Sequence, residues 1–217
     1  PLEPAVEEAV RLLRAGEPVA LPTETVYGLA ANALSEAAAV RIFEAKERPF
    51  FDPLIVHLPD GGWLDRLTRI PPEDRALVER LTARYWPGPL TLVLPRTEAV
   101  PDLVASGLPT VAVRQSAHPV FRAVVERCGF PLAAPSANRF GRISPTEAAH
   151  VVSELSDRVP LVLDGGACPH GVESTVIAVA GGRIEVLRPG PVTREELAGF
   201  AEIAASGAVV RPVAPGQ

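Results

Sequence analysis

The sequence contains no methionine, only 2 cysteines, 2 tryptophans and 2 tyrosines, and 5% aromatic residues in 217 positions. With so few rings, a core must be built from Ala, Val, Leu and Ile. At 47% hydrophobic, there is enough apolar material for one large α/β domain, or one with a small appendage. Cys128 and Cys168 lie outside any CxxC pair, which gives neither a disulfide framework nor a zinc site. No apolar run approaches the roughly 20 residues of a bilayer span. The start, PLEPAVEEAVRLLRAG, is acidic and amphipathic, unlike a signal peptide, so no membrane association and a cytoplasmic location are expected. The lack of methionine carries the expectation that an initiator was removed or the chain trimmed. A net charge of −5 excludes a global basic field for nucleic acid and leaves only a local basic cleft open. Scarce Asn, Gln and Lys, beside abundant Arg, Pro and Ala, fit a GC-rich, heat-adapted source.

Lysine is the most informative scarcity. Lys46 is the only one among 21 Lys and Arg residues. A single lysine kept in an arginine-rich chain suggests a site that needs a compact ammonium rather than a planar fork, as against phosphate. The residues alone equally allow the exposed last turn of a helix.

Along the chain, Val6, Val10, Leu12 and Leu13 give a helical stripe closed by Gly16. Pro18 to Leu21 reads as a strand running into a hydroxyl-rich loop, Pro22 to Gly28. Ser35 caps a helix with Val40, Ile42 and Phe43 on one face, delivering Lys46 at its end before Pro49. Leu54 to Leu58 is a buried strand and Pro59 to Gly62 a turn. Pro72 to Tyr85 is helical, with Leu77, Val78 and Leu81 inward. Strands follow at Leu90 to Leu94 and Thr110 to Arg114, then a helix over Pro119 to Cys128 ended by Gly129, and a strand over Pro131 to Ala134. Ser144-Pro145-Thr146-Glu147 has the form of a capping box that starts the next helix. Leu161 to Leu163 is a further strand. Ser174 to Val179 and Arg183 to Leu187 form a hairpin around Gly181-Gly182. Thr193 and Glu196 make a second capping box. Arg211 to Gln217 has the composition of a linker. The mixture of hairpins and crossovers predicts an α/β fold with a mixed sheet.

Three polar segments directly follow short strands: Thr23 to Tyr27, Ser136 to Arg142, and the turn into Glu173-Ser174-Thr175. Ligands of open α/β sheets collect at strand ends, so these loops are candidates for one pocket suited to phosphate or a small polar substrate. Lys46, Arg48, Arg114 and Arg188 fall at or near element ends, where they suit a polyphosphate clamp; each arginine taken singly reads more readily as one surface cation among many. Gly166 and Gly171 have P-loop spacing, but Val172 stands where the lysine is required. There is no G-x-S-x-G elbow. Cys168 and His170 give two isolated ligand types in a Pro/Gly loop, short of a metal site. His57 at a strand end fits either substrate binding or a capped sheet edge.

In chain order, PTETVYGL (Pro22 to Leu29), KERP (Lys46 to Pro49), DPLIVH (Asp52 to His57), PSAN (Pro135 to Asn138), SPT (Ser144 to Thr146), VESTVI (Val172 to Ile177) and LRPG (Leu187 to Gly190) resemble the YrdC-like family. These are the L-threonylcarbamoyladenylate synthases of tRNA modification. The resemblance implies a twisted sheet, parallel and antiparallel, with flanking helices around a large concave basic cavity. It implies ATP, L-threonine and bicarbonate as substrates, threonylcarbamoyl-AMP and pyrophosphate as products, and Mg2+ with the triphosphate, its protein ligands unassigned. A downstream tRNA threonylcarbamoyl transferase complex would use the product, with a tRNA contact among the implied partners. Lys46 and Arg48 would be catalytic. Arg48, Asp52, Thr110, Ser136, Ser144 and Arg188 would line the ATP side. Thr25, His57, Arg114, Ala134 and Ser174 would surround threonine. Phe140 and Ala178 depart from the family pattern, where Ser and Asp are common. The expected synthase domain is residues 1–207, with 208–217 a tail or the start of an interdomain linker. The competing readings are a non-catalytic RNA-binding module and carbamoyl-adenylate chemistry of the hydrogenase-maturation kind. The latter comes with acylphosphatase-like and zinc-finger segments that this sequence does not show.

Overall fold

Residues 2–205 are described by a computed structural model of the protein. The order is α1 (Leu2–Arg14), β1 (Val19–Leu21), β2 (Gly28–Asn32), α2 (Glu36–Lys46), β3 (Ile55–His57), α3 (Leu64–Leu67), α4 (Pro72–Tyr85), β4 (Leu90–Pro95), α5 (Asp102–Ala105), β5 (Thr110–Arg114), α6 (Pro119–Cys128), β6 (Leu132–Ala133), α7 (Ala148–Leu155), β7 (Thr175–Ala180), β8 (Arg183–Arg188) and α8 (Arg194–Ala198). The strands form one sheet in the order β1-β2-β6-β3-β5-β4-β7-β8. The β3/β5 and β4/β7 pairs are parallel and the remaining pairs antiparallel, as the mixed-sheet reading predicts.

Strand alternation sorts the residues between two faces. Leu54, Val56, Val111 and Val113 join the main core with Ile42 and Phe43 of α2 and Leu77, Val78 and Leu81 of α4. On the opposite face, α1 and α6 pack over β1 and β6 through Val6, Leu13, Val120, Phe121 and Leu132. Farther along, Ile55, Val93, Ala112, Val176, Ala178 and Leu187 form a smaller apolar strip. That strip leads to the site. Ala178 is fully buried within it, where an aspartate would require a partner.

Helices α4 and α6 and strand β5 occupy the predicted positions, and Ser35 caps α2 by accepting from the Ala38 amide at 3.2 Å. Four expectations need correction. On α2, Val40 is only half-buried, and Ala38 and Ala39 take its place in the inward face. Strand β2, GLAAN, has no expected counterpart: it lacks the β-branched and aromatic residues that mark strands, and pairing with β1 and β6 makes it one. Ser144 does not cap α7, which starts at Ala148, because its hydroxyl donates to Glu173 instead. Leu161 to Leu163 reduces to a single parallel bridge between Val162 and Ala20. Residues 206–217, which include the expected linker, lie outside the described residues.

Candidate active site

Tyr27 brings the polar loops together. Its amide donates to the Pro145 carbonyl and its carbonyl accepts from the Ala137 amide, both at 2.8 Å. The His170 amide donates to the Glu24 carbonyl at 3.1 Å and closes the third side. Two adjoining cavities result, with Arg48, Ser136 and Glu173 lining both. The first is also lined by Thr25, His57, Arg114, Ala134, Ser174 and Arg188. The second takes Lys46, Asp52, Asn138, Phe140 and Ser144. The five residues expected around threonine therefore share one cavity. Of the expected ATP-side residues, Arg48, Asp52, Ser136 and Ser144 face the second cavity. Arg188 opens on the first. Thr110 lines neither; half-buried, it stands two pleats from Arg114 on the same face of β5.

Lys46 is not an exposed helix end: it is 1% exposed. Helix α2 stops at Glu47, which takes a left-handed φ of 53°, and this turn points the lysine inward. Its Nζ donates to the carbonyls of Ser136 and, at 2.5 Å, Asn138. Burial and then the nearby Arg48 charge push its pKa down to about 7.

Three of the four arginines at the cavities have their own carboxylate, while the exposed Arg142 on the second cavity is in no ion pair among the described residues. Arg48 pairs with Asp52 at 2.8 Å and donates to the Asp52 and Pro53 carbonyls. Arg114 pairs with Glu24 at 2.5 Å, donates to Thr25 Oγ1 at 3.0 Å and to the Gly88 carbonyl at 3.1 Å. Arg188 pairs with Glu173 and donates to the carbonyl and hydroxyl of Ser174, each at 3.1 Å. Lys46 is in no ion pair among the described residues. The expected large basic cavity is thus a set of three neutralised pairs plus Lys46 and the exposed Arg142.

Glu24 and Glu173 are held ionised. Burial works to raise Glu24, yet Arg114 and the hydroxyl of Ser116 bring it down to about 2. Burial also opposes ionisation of Glu173, and Arg188 with the Ser144 and Ser136 hydroxyls outweighs it and lowers its pKa. His57 goes the other way for a base: full burial, then the Arg114 charge, lower it to about 3, so the ring is neutral. It stacks on Phe121 at 4.6 Å. Its Nδ1 and the Oδ1 of Asn138 are buried with no hydrogen-bond partner among the described residues.

Glu24, Ser116, Asn138 and Glu173 have no assigned role in the sequence reading. Three of them sit inside the PTETVYGL, PSAN and VESTVI motifs, so the signal was position within a motif; Ser116 carried none. Gly190 supports the Glu173 loop from behind, since a Cβ there would meet the Thr175 amide at 2.4 Å and the Glu173 carbonyl at 2.6 Å.

The Sua5/YciO/YrdC family model, described as telomere recombination, matches residues 11–190. The chain is 46% identical over 196 residues to a threonylcarbamoyl-AMP synthase of Bacillus subtilis, covering 90% of this chain and 56% of that protein. It is 48% identical over 189 residues to the threonylcarbamoyl-AMP synthase of Pyrococcus abyssi, covering 87% of this chain and 55% of the other. The crystal structure of P. abyssi Sua5 complexed with L-threonine superimposes with a TM-score of 0.88 at 45% identity, over 97% of this chain and 63% of that one. The chain therefore spans about half the length of these two synthases.

Proposed function

The chain belongs to the Sua5/YciO/YrdC family, and on that premise we propose that it is an L-threonylcarbamoyladenylate synthase. It would join L-threonine, bicarbonate and ATP to give threonylcarbamoyl-AMP and pyrophosphate. The observation that carries this reading is the pair of connected cavities, one holding the threonine-side residues and the other Lys46 and most of the nucleotide-side residues, with Arg48 and Ser136 on both.

In this reading Arg114, held by Glu24 and the Gly88 carbonyl, faces the threonine carboxylate, and Thr25, Ala134, Ser174 and neutral His57 shape the pocket around it. The amino nitrogen attacks the bicarbonate carbon, a C–N bond forms as a C–O bond breaks, the departing hydroxyl leaves as water with a proton from the nitrogen, and the resulting carbamate presents an oxygen toward the second cavity. That oxygen attacks the α-phosphorus, a P–O bond forms, and the bond to pyrophosphate breaks. Lys46 and Arg48 offset the charge that gathers on the phosphates, with Asp52, Ser136, Ser144, Arg188 and Thr110 on the nucleotide side. No protein nucleophile is required, and positioning with preorganised charge supplies the acceleration.

Magnesium fits only through the nucleotide. Asp52 and Glu173 are the carboxylates facing the second cavity, and both are committed to arginines. The ion would be held chiefly by phosphate oxygens, as such sites usually hold it. The product would pass to a tRNA-modifying transferase. We place the synthase domain in residues 1–207, with 208–217 as tail or linker. An RNA-binding role draws little support from the cations at the cavities, since Lys46, Arg48 and Arg114 are buried and Arg188 is paired with Glu173. The test is pyrophosphate release from ATP: it should require both threonine and bicarbonate, and release indifferent to threonine would exclude the reaction.

A further inference from the structure

The three arginine–carboxylate pairs differ in how far a ligand can reach them. Asp52 and Glu24 show 4% and 8% of their side chains to solvent, whereas Glu173 shows 28%. Glu24 lines neither cavity and Asp52 lines one, while Glu173 lines both and so forms part of the wall between them. It is also held from both sides, with Ser144 donating to Oε1 at 2.6 Å and Arg188 to Oε2. We propose that Glu173 is an internal anion, occupying in the empty protein a place that substrate phosphate takes over and thereby setting which anions can enter. This rests on the synthase reading above and adds a specificity-determining residue to it.

An entering anion finds Lys46, Arg48 and Arg142 in the second cavity, but it gains Arg188 only by displacing Glu173. A small anion loses to the carboxylate already in place. A triphosphate, bonded to Lys46 and Arg48 at the same time, brings enough charge to make the exchange. Specificity of this kind is a difference between affinities, and a resident competitor enlarges that difference against weak anions. It also eases departure of pyrophosphate, because the carboxylate returns as the product leaves. Glu173 could instead merely orient Arg188 and the two serines, and the two roles predict opposite signs: removing a competitor tightens anion binding, whereas removing a support loosens it.

The experiment is calorimetric titration of the whole chain with inorganic pyrophosphate and, separately, with ATP. Glu173→Gln should bind pyrophosphate about tenfold more tightly than the wild type, the size of one screened charge contact removed. Glu173→Ala repeats the charge removal, so either variant that melts like the wild type suffices. Glu173→Asp keeps the charge and should bind as the wild type does. Unchanged or weaker pyrophosphate binding in a charge-removing variant that folds overturns the proposal, as does tightening in Glu173→Asp. Wild-type protein that binds ATP and pyrophosphate without the tightening defeats this inference alone. Wild-type protein that binds neither defeats the synthase reading beneath it.

Discussion

Lys46 sits where burial costs an ammonium most, and no carboxylate pairs with it among the described residues. On the proposed reading, its place is explained by the ligand, whose phosphate would supply the missing counter-charge. The pH behaviour follows. With its pKa lowered from 10.5 to about 7 on folding, the unfolded chain holds a proton between those values that the native chain has released. Stability therefore rises with pH across about 7 to 10.5. Activity runs the opposite way: kcat/KM for ATP, which reports the free enzyme, should bend down as pH rises through about 7, because the charged form is lost. Lys46→Ala should lower turnover at least 100-fold, the scale of one electrostatic contact to the transition state, while circular dichroism shows the fold retained. Lys46→Arg should lose most activity too, since a planar fork does not fit between the Ser136 and Asn138 carbonyls; a fully active arginine variant would refute the need for a compact charge. Glu24 and His57 act on the acid side. Glu24 is lowered from 4.5 to about 2, so its stabilisation is full above 4.5 and lost as pH falls toward 2. His57, lowered from 6.5 to about 3, makes the native state lose stability as pH falls through that window, because only the unfolded ring takes the proton. Glu24→Gln should cost about 3 kcal/mol in urea unfolding at pH 7 by leaving Arg114 buried without its carboxylate, and should flatten the acid limb below pH 4.5.

At the scale of elements, legibility follows punctuation. Pro72, Pro119 and Gly129 mark helix ends by their own backbone chemistry, and Thr110 to Arg114 alternates between two buried faces, so α4, α6 and β5 could be read directly. Strand β2 could not, because GLAAN is a strand only by virtue of its neighbours. Ser144 shows the same limit from the other side. Its spacing to Glu147 is that of a cap, and a carboxylate 29 positions away takes the hydroxyl instead. The site splits similarly. Lys46 and Arg48 stand out by composition and motif, but the partners that fix and neutralise the arginines meet them only in three dimensions. Asp74 offers a test of one such long-range tie. Fully buried on α4, it accepts from the amides of Gly181 and Gly182, at 3.3 and 2.7 Å, and so anchors the β7–β8 hairpin. Asp74→Ala should cost ~1–3 kcal/mol in chemical unfolding by orphaning those amides. A loss below about 0.5 kcal/mol would mean that water replaces the carboxylate freely.

For the whole molecule, one sheet face is closed by a large aliphatic core and the other only partly by α1 and α6, and the remaining strip opens toward the two cavities. Few aromatics suffice because Ala, Val, Leu and Ile fill both layers. The net charge of −5 is compatible with the proposed polyanionic substrate because Lys46 and four arginines are gathered at the cavities, three of those arginines already balanced by carboxylates. The central claim is that these cavities unite three substrates in one adenylate. It is tested most directly by supplying carbon-labelled bicarbonate with ATP, L-threonine and magnesium, and following the label. The account predicts label in an adenylate that forms only when threonine is present and disappears with Lys46→Ala. ATP consumed with no labelled adenylate, or label incorporated without threonine, would contradict it.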